Sequence, residues 1–319
     1  MAAGLAKHFG LLAGTAPPIV AEFTGRLEPS GPEVRARYIG SGVNRDYLVA
    51  LVMDEPCERT RHCLPSYRHV PSAAADAGGA DGAEIAVVLT DLPALWGVLT
   101  PQRAQYRFAA WVRQELTLPP AGAAWVLPRH VEREAGRLAR RHRYTLDFAT
   151  DEDSLHRFYE ELYRPYVLAR FGGGAIVVAE KDFVAGARGC TLALLRQENR
   201  SAAGVLLERS GAILRFRWFG ASRSPPPEGA SDVLDVACIR RAHADGVRTV
   251  MLGYSRPSLV DGVVRYKQKL GARFCAVRYP QSKLGIAVDR GQRGMFARLN
   301  RQQLVAVRGR GLVQILAAQ

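Results

Sequence analysis

Cysteine is scarce in this chain of 319 residues: Cys57, Cys63, Cys190, Cys238 and Cys275, odd in number and scattered. A disulfide framework is therefore not expected. Cys57 and Cys63 flank His62, with His69 downstream, but Cys-x5-Cys spacing does not match a zinc knuckle, and no metal site is expected. Also missing is any apolar run of about 18 residues, which excludes a transmembrane helix by length. The apolar patch Leu11–Val20 is interrupted by Pro17-Pro18 and preceded only by Lys7, a poor secretory signal. Cytoplasmic residence is the default expectation. No internal repeat is visible. Acidic residues are in deficit: 30 Asp and Glu face 44 Lys and Arg, a formal net charge of +14. That excess favours polyanionic partners such as cofactor phosphates, a nucleotide-linked substrate, tRNA or an anionic membrane surface, or else it is a solvated basic surface. Hydrophobic residues at 48% and charged residues at 23% fit an ordinary globular protein and exclude wholesale disorder.

Along the chain, Val34–Ile39 and Tyr47–Val52 read as antiparallel strands, with turns at Gly31 and Gly40. Residues 71–83 form a small-residue linker or mobile loop. Glu84–Thr90 reads as a buried strand, Gln102–Leu116 as a helix, and Trp125–Pro128 as a strand end. From Pro128 to His142 an amphipathic helix is expected. It carries Arg129, Arg133, Arg137 and Arg141 as a drifting stripe on one face and Val131, Ala135 and Leu138 on the other. The stripe could track phosphates or be a solvated face helped by Glu132 and Glu134.

The second half has a clearer rhythm. Tyr144–Phe148 is a strand, and Asp151 or Asp153 caps a helix running through Leu168. Strands are expected at Ala175–Ala179, Thr191–Leu195, Ala203–Glu208 and Ile213–Phe219, the last three as an antiparallel meander with short polar turns. A loop with Pro225-Pro-Pro leads to a helix over Ser231–Ala244, then a strand at Thr249–Leu252. A polar turn starting at Gly253 follows, then a helix ending at Gly271 and a strand at Phe274–Tyr279. The tail from 285 holds six Arg against one Asp, as a docked helix or a basic arm.

This order puts Tyr254, Ser255, Arg256 and Asp261 at the mouth of a sheet, where a strand end meets a helix start and α/β proteins usually place ligands. Arg256 and Arg265 suit bidentate clamping of phosphate or carboxylate. Asp261 could orient Arg265, accept a proton, or favour the start of its helix. Tyr254 is a candidate general acid or a packing ring. Glu208, at the end of a meander strand, is the best-placed carboxylate for general base work unless it simply faces solvent. Local sequence suggests no Ser-His-Asp or Cys-His arrangement, which favours direct attack over a covalent enzyme intermediate.

Three stretches together resemble the GNAT acyltransferases, in the branch of the Fem-type peptidyl transferases and the exopolysaccharide- and cellulose-associated acetyltransferases. They are Phe158-Tyr-Glu-Glu-Leu-Tyr-Arg-Pro, Ala203-Gly-Val-Leu-Leu, and Leu252–Ala272 with its Tyr-Lys-x-Lys-x-Gly ending. The resemblance covers roughly 145–280. It implies an α/β (α+β) fold with mixed, mostly antiparallel sheets flanked by helices, in two tandem GNAT-like lobes. These would be a degenerate lobe over 1–140 and a lobe bearing the site over 141–284, followed by a basic tail over 285–319. It further implies a splayed parallel strand pair, Ile213–Phe219 and Thr249–Leu252, with an acyl carrier in the gap. Backbone groups of Arg223, Gly229, Ala230 and Ser231 would face phosphates, and Lys267 would lie near the transferred acyl group or phosphates, unless it is a surface lysine. The Arg223–Ala230 loop departs from the family's usual Gln/Arg-x-x-Gly-x-Gly/Ala pattern, and its three prolines remove three N–H donors.

The expected function is acyl transfer from acyl-CoA to an amine or hydroxyl of a small-molecule, sugar-nucleotide or peptide acceptor. Alternatives are an aminoacyl-tRNA donor, with tRNA then a partner, and a non-catalytic binding module. No tightly bound cofactor is expected, and the sequence leaves the oligomeric state open.

Overall fold

The computed structural model describes residues 17–42, 44–70, 84–92, 103–120, 122–171, 177–198, 200–275, 283–308 and 311–314. The expected linker at 71–83 lies outside them. The chain divides into two compact units. One draws on Met1–Val112, Arg256–Val264 and Ala276–Gln319, the other on Arg113–Ser255 and Arg265–Cys275.

The first unit contains a sheet of β1 (Ile19–Arg26), β2 (Glu33–Gly40), β3 (Asp54–Cys63), β4 (Val87–Thr90), β5 (Arg103–Ala109) and, from much later in the chain, Lys283–Asp289. Its spatial order is β3, β1, β2, β4, the late strand, β5, antiparallel except for β2 against β4. Helix α1 (Arg45–Val52) occupies the segment expected as a strand. Its apolar run fits either period, and burial of Leu48, Val49, Leu51 and Val52 on one helical face decides it. Arg293–Arg301, in the expected tail, is a helix whose Met295 and Leu299 are buried in this unit's core. The tail is therefore in part core and sheet.

The second unit holds most of β6 (Val112–Thr117), α2 (Arg129–His142), β7 (Thr145–Ala149), α3 (Glu152–Phe158), a π-helical turn (Tyr159–Tyr163), α4 (Arg164–Phe171), α5 (Glu180–Ala187), β8 (Thr191–Gln197), β9 (Arg200–Ser210), β10 (Ile213–Ala221), α6 (Ala230–Ala244), β11 (Thr249–Ser255), most of α7 (Gly262–Lys269) and β12 (Arg273–Cys275). Its sheet runs β12, β6, β11, β10, β9, β8, β7. The meander β8–β9–β10 and the β7–β8 pair are antiparallel, and β10 and β11 are parallel. The expected mixed, mostly antiparallel architecture flanked by helices is present.

Several local expectations change. Gln102–Leu116 is not a helix: its described part is β5 and β6, separated by Ala110 and Trp111. In β6, burial alternates through Val112, Gln114 and Leu116, a period of two. The Gln at the middle inward position hid that pattern. Trp125–Pro128 forms no strand. Instead the N–H groups of Val126 and Leu127 both donate to Glu132 Oε1 at 2.9 Å. Residues 177–179 are not a strand; Val178 offers its carbonyl oxygen to the Tyr159 hydroxyl at 2.8 Å. Of Phe274–Tyr279 only Phe274 and Cys275 are described, both within β12. The boundary expected at 140 falls inside α2, whose Val131, Ala135 and Leu138 belong to the second unit's core.

Candidate functional site

The parallel pair at the centre of the second unit is joined at one end only. Ile213, Leu214 and Arg215 of β10 pair with Thr249, Val250 and Met251 of β11, and no further pair follows. Beyond that point β10 carries an irregularity between Phe216 and Phe219 in its pairing with β9. Such a bulge bends one strand and sharpens its twist, which carries the rest of β10 away from β11. Gly253, at φ +73°, lies at the start of the opening, where an added Cβ would sit 3.4 Å from the Phe216 carbonyl oxygen. Backbone groups on the facing edges past Phe216 and Met251 are thereby released from the β10–β11 ladder. On its other side the opening strand rests on the π-turn. A Cβ at Gly220 would stand 2.6 Å from the Tyr163 nitrogen, so only glycine admits this approach.

Lys267 of α7 points into the protein. It is buried, and its ammonium donates to the Tyr254 carbonyl oxygen at 3.0 Å and the Ser255 hydroxyl at 2.9 Å. Ser255 in turn donates to Oε1 of the fully buried Gln114 at 3.3 Å. Lys267 thus fastens the end of β11, the strand that forms one wall of the gap, and is not a surface lysine. The Tyr254 side chain is exposed. Arg265, one residue before Tyr266, faces solvent.

The sequence reading missed Asp235, in the middle of α6. It keeps part of its surface, yet its carboxyl is packed closely enough for loss of hydration to push its pKa up to about 7. The hydroxyl of Tyr266, donating to Oδ2 at 2.9 Å, pulls the other way, the nearby Asp232 charge adds to the rise, and Lys267 opposes it. Burial beside that carboxylate drives the Tyr266 phenol far upward, so it remains a proton donor. The available signal was an acid set among Val233, Leu234, Val236, Cys238 and Ile239, all buried. Asp232 and Lys269 add a second link between α6 and α7, at 2.9 Å.

Glu208 is partly buried and accepts a hydrogen bond from Arg217 at 3.3 Å. The Arg217 guanidinium also lies 4.7 Å from the Trp218 ring centroid. The Glu208 carboxylate is thus half-buried and ion-paired, not the solvent-facing side chain that was the alternative to a base.

The loop expected to hold phosphates is built differently from that expectation. Gly229 begins α6 at φ +69°, and an added Cβ there would meet Leu138 Cδ1 at 2.7 Å, so its freedom serves packing. Ala230 is fully buried, while Arg223 is exposed and Ser231 half-buried. Glu228 stands immediately before the helix start, paired with Arg141 at 3.3 Å and beside His142 at 3.2 Å, and Asp232 lies in the first turn. These two acids occupy the positive end of the helix dipole, where an anionic ligand would otherwise gain.

A groove of 1060 Å³ opens beside this loop, lined among others by Arg157, Glu161, Arg196, Arg200 and Ser222.

Arg256 and Asp261 belong to the first unit. The Arg256 guanidinium lies 3.9 Å from the Tyr47 ring centroid and 4.0 Å from that of Trp111, and it donates to Asn44 Oδ1 at 3.2 Å. Burial lowers its pKa to about 10, leaving it charged at neutral pH. It is a structural clamp in this geometry, not a reaching arm. Asp261 Oδ1 accepts from the N–H groups of Val263 and Val264 at 2.9 and 3.0 Å, which caps α7. Of its three expected roles, the structure shows the helix-starting one.

Among the described residues no group of His, Cys, Asp and Glu could hold a metal ion, and no helix is long and apolar enough to cross a membrane.

No family model matches the chain, and no curated protein matches it. Among solved structures it is similar to the C-terminal domain (DUF2156) of a protein assigned as a lysylphosphatidylglycerol synthetase in Agrobacterium fabrum. The two share 12% identity over 89% of this chain and 84% of the other, with a TM-score of 0.42. It is similar also to L-PGS from Bacillus licheniformis, at 12% identity over 94% and 92% with a TM-score of 0.40. FemX aligns at 11% identity over 81% and 82%, with a TM-score of 0.40.

Proposed function

We propose that the second unit is an acyltransferase that moves an acyl group from acyl-CoA to an amine or hydroxyl of a sugar-linked or peptide acceptor. The observation that carries this reading is the β10–β11 pair, joined at one end and open at the other. An opening in a sheet costs backbone hydrogen bonds, each worth about 1 kcal/mol net, so it needs an occupant or a role. An extended acyl carrier satisfies the released edges, and an N–H on those edges can donate to the carbonyl oxygen as it becomes an oxyanion. The acceptor nitrogen or oxygen attacks the carbonyl carbon directly, and the carrier sulfur or oxygen leaves with the bonding pair. Lys267 and Ser255 act as positioning residues that fix the β11 wall. Asp235, with a pKa near the working pH, and the Tyr266 phenol form the acid–base pair best suited to taking up and returning the proton. The charged groove at Arg157, Glu161, Arg196 and Arg200 suits a polar, charged acceptor.

A second reading, with an aminoacyl-tRNA donor, is favoured by the α6 start. Glu228, Asp232 and three prolines make it a poor seat for the diphosphate of coenzyme A.

Thermal unfolding separates the two. Saturating acetyl-CoA at about 100 times its Kd stabilises the native state by about 2.7 kcal/mol, which raises Tm measurably. No shift at millimolar acetyl-CoA, together with tRNA binding that weakens steeply as salt rises, selects the second reading. If neither ligand binds, and Asp235→Asn and Lys267→Met leave cellular function intact in a folded protein, the unit is a binding module and the acyl-transfer reading fails.

A further inference from the structure

Helix α2 concentrates the basic charge of this protein on one surface. Residues 129–143 contain six arginines against two glutamates, a net +4 of the +14 carried by the whole chain. One of the glutamates does not reach the surface: Glu132 turns inward, its side chain 1% exposed, and holds Val126, Leu127 and Arg240. Arg129, Arg133, Arg137, Arg140 and Arg141 are all exposed. At about 100° per residue these five fall within an arc of roughly 120°. The middle of that arc lies about 180° from the middle of the arc holding Val131, Glu132, Ala135 and Leu138, the buried face. The guanidinium groups therefore project directly away from the core. Neutralisation within the face is partial: Arg137 pairs with Glu134 at 2.7 Å and Arg141 with Glu228. Trp125, 40% exposed, stands at the N-terminal end of the helix with the Arg129 guanidinium 5.2 Å from its ring centroid. Arg240 of α6, its side chain 57% exposed, borders the same helix through Glu132.

We propose that the outward face of α2 docks on an anionic phospholipid surface, as a peripheral contact. The shape of the charge decides for a bilayer over a nucleic acid. Each four-residue step rises about 6 Å and turns about 40°, so the guanidinium groups fan out instead of following one line of phosphates. A plane of anionic headgroups meets such a fan at every point. A tryptophan at its edge, with an apolar ring and a polar N–H, suits the headgroup level. Interior apolar contacts hold the helix in place, so docking orders nothing new, and each arginine near the surface adds its own attraction. This proposal rests on the helix alone and is independent of the acyl-transfer reading.

The test is co-sedimentation of the full chain with vesicles of phosphatidylcholine containing about one third phosphatidylserine, and with vesicles of phosphatidylcholine alone. Binding is expected to the mixed vesicles only at about 0.1 M salt, falling at least tenfold at about 0.5 M as the charges are screened. The triple variant Arg133→Gln, Arg137→Gln, Arg140→Gln is expected to bind about 10- to 100-fold more weakly. Circular dichroism and an unchanged Tm establish that it is folded. A charge-matched control, Arg59→Gln, Arg68→Gln, Arg188→Gln, removes three exposed arginines elsewhere and should retain most of the binding. Equal losses in the two variants would assign the effect to net charge and overturn the proposal. So would absence of vesicle binding, or binding of a structured RNA at the same salt without binding to vesicles.

Discussion

Replacing Asp235 by asparagine should make this protein more stable at neutral pH and leave it almost unchanged in acid. In the unfolded chain an aspartate titrates near 4, whereas the folded group titrates at about 7. Between those values the native state retains a proton that the unfolded chain has released. Stability therefore falls as pH rises through this window, and the loss is complete above 7. A gap of about three pH units corresponds to at most about 4 kcal/mol. Asparagine carries no charge at any pH, and its carbonyl oxygen can still accept the hydrogen bond that Tyr266 donates at 2.9 Å. Lys267 loses the attraction of the ionised carboxylate but keeps its bonds to Tyr254 and Ser255. The net gain expected for Asp235→Asn is about 2–4 kcal/mol at pH 8, and near zero at about pH 4. Urea denaturation of both proteins across that range measures it directly. Because 1 kcal/mol moves Tm by about 2–4 °C in a domain of this size, thermal melts at pH 8 should show a rise of several degrees. If the two stability curves run parallel against pH, Asp235 ionises like an exposed carboxylate and the reasoning is refuted. If this residue also takes the substrate proton, the same variant is less active while more stable, a combination that simple misfolding cannot produce.

Lys267→Met should cost about 2–4 kcal/mol, since it leaves the Tyr254 carbonyl and the Ser255 hydroxyl without their charged donor, and a midpoint equal to wild type would show that Lys267 does not fasten β11. Arg256→Ala should lose about 1–3 kcal/mol from its two ring contacts, and Arg256→Lys should recover part of it; equal urea midpoints for Ala and Lys would mean that the rings contribute nothing. Gly220→Ala places a methyl 2.6 Å from the Tyr163 nitrogen and should destabilise by about 1–3 kcal/mol; a variant as stable as wild type would show that the π-turn yields freely.

The rhythm of the second half was legible because its periods were clean. The meander is three apolar runs with short polar turns, and β8, β9 and β10 occupy them. Asp151 caps α3 through the Ser154 N–H at 2.8 Å, as a short acceptor before an apolar periodic segment should. The first half misled at Tyr47–Val52 and at Gln102–Leu116. A six-residue apolar run fits both periods, and the inward Gln114 disguises a strand. Glu132 shows the same blindness at one residue: by sequence it belongs to a charged face, yet two backbone N–H groups and Arg240 draw it inside.

The meander, the arginine stripe and the place where a strand end meets a helix were set by residues acting over a few turns of chain, so the sequence determined them unaided. Tertiary structure alone decided which side chains share an environment. Lys267 turns inward because Tyr254 and Ser255 present oxygen atoms to it, thirteen and twelve residues away. Asp235 titrates high because packing removes its water, against the pull of the Tyr266 hydroxyl that α7 brings to it from 31 residues on. The gap opens where β10 leaves β11, whose paired residues lie 36 positions apart, a relation that no local pattern encodes. Hydration and pairing energies depend on neighbours in space, and only the folded chain supplies those neighbours.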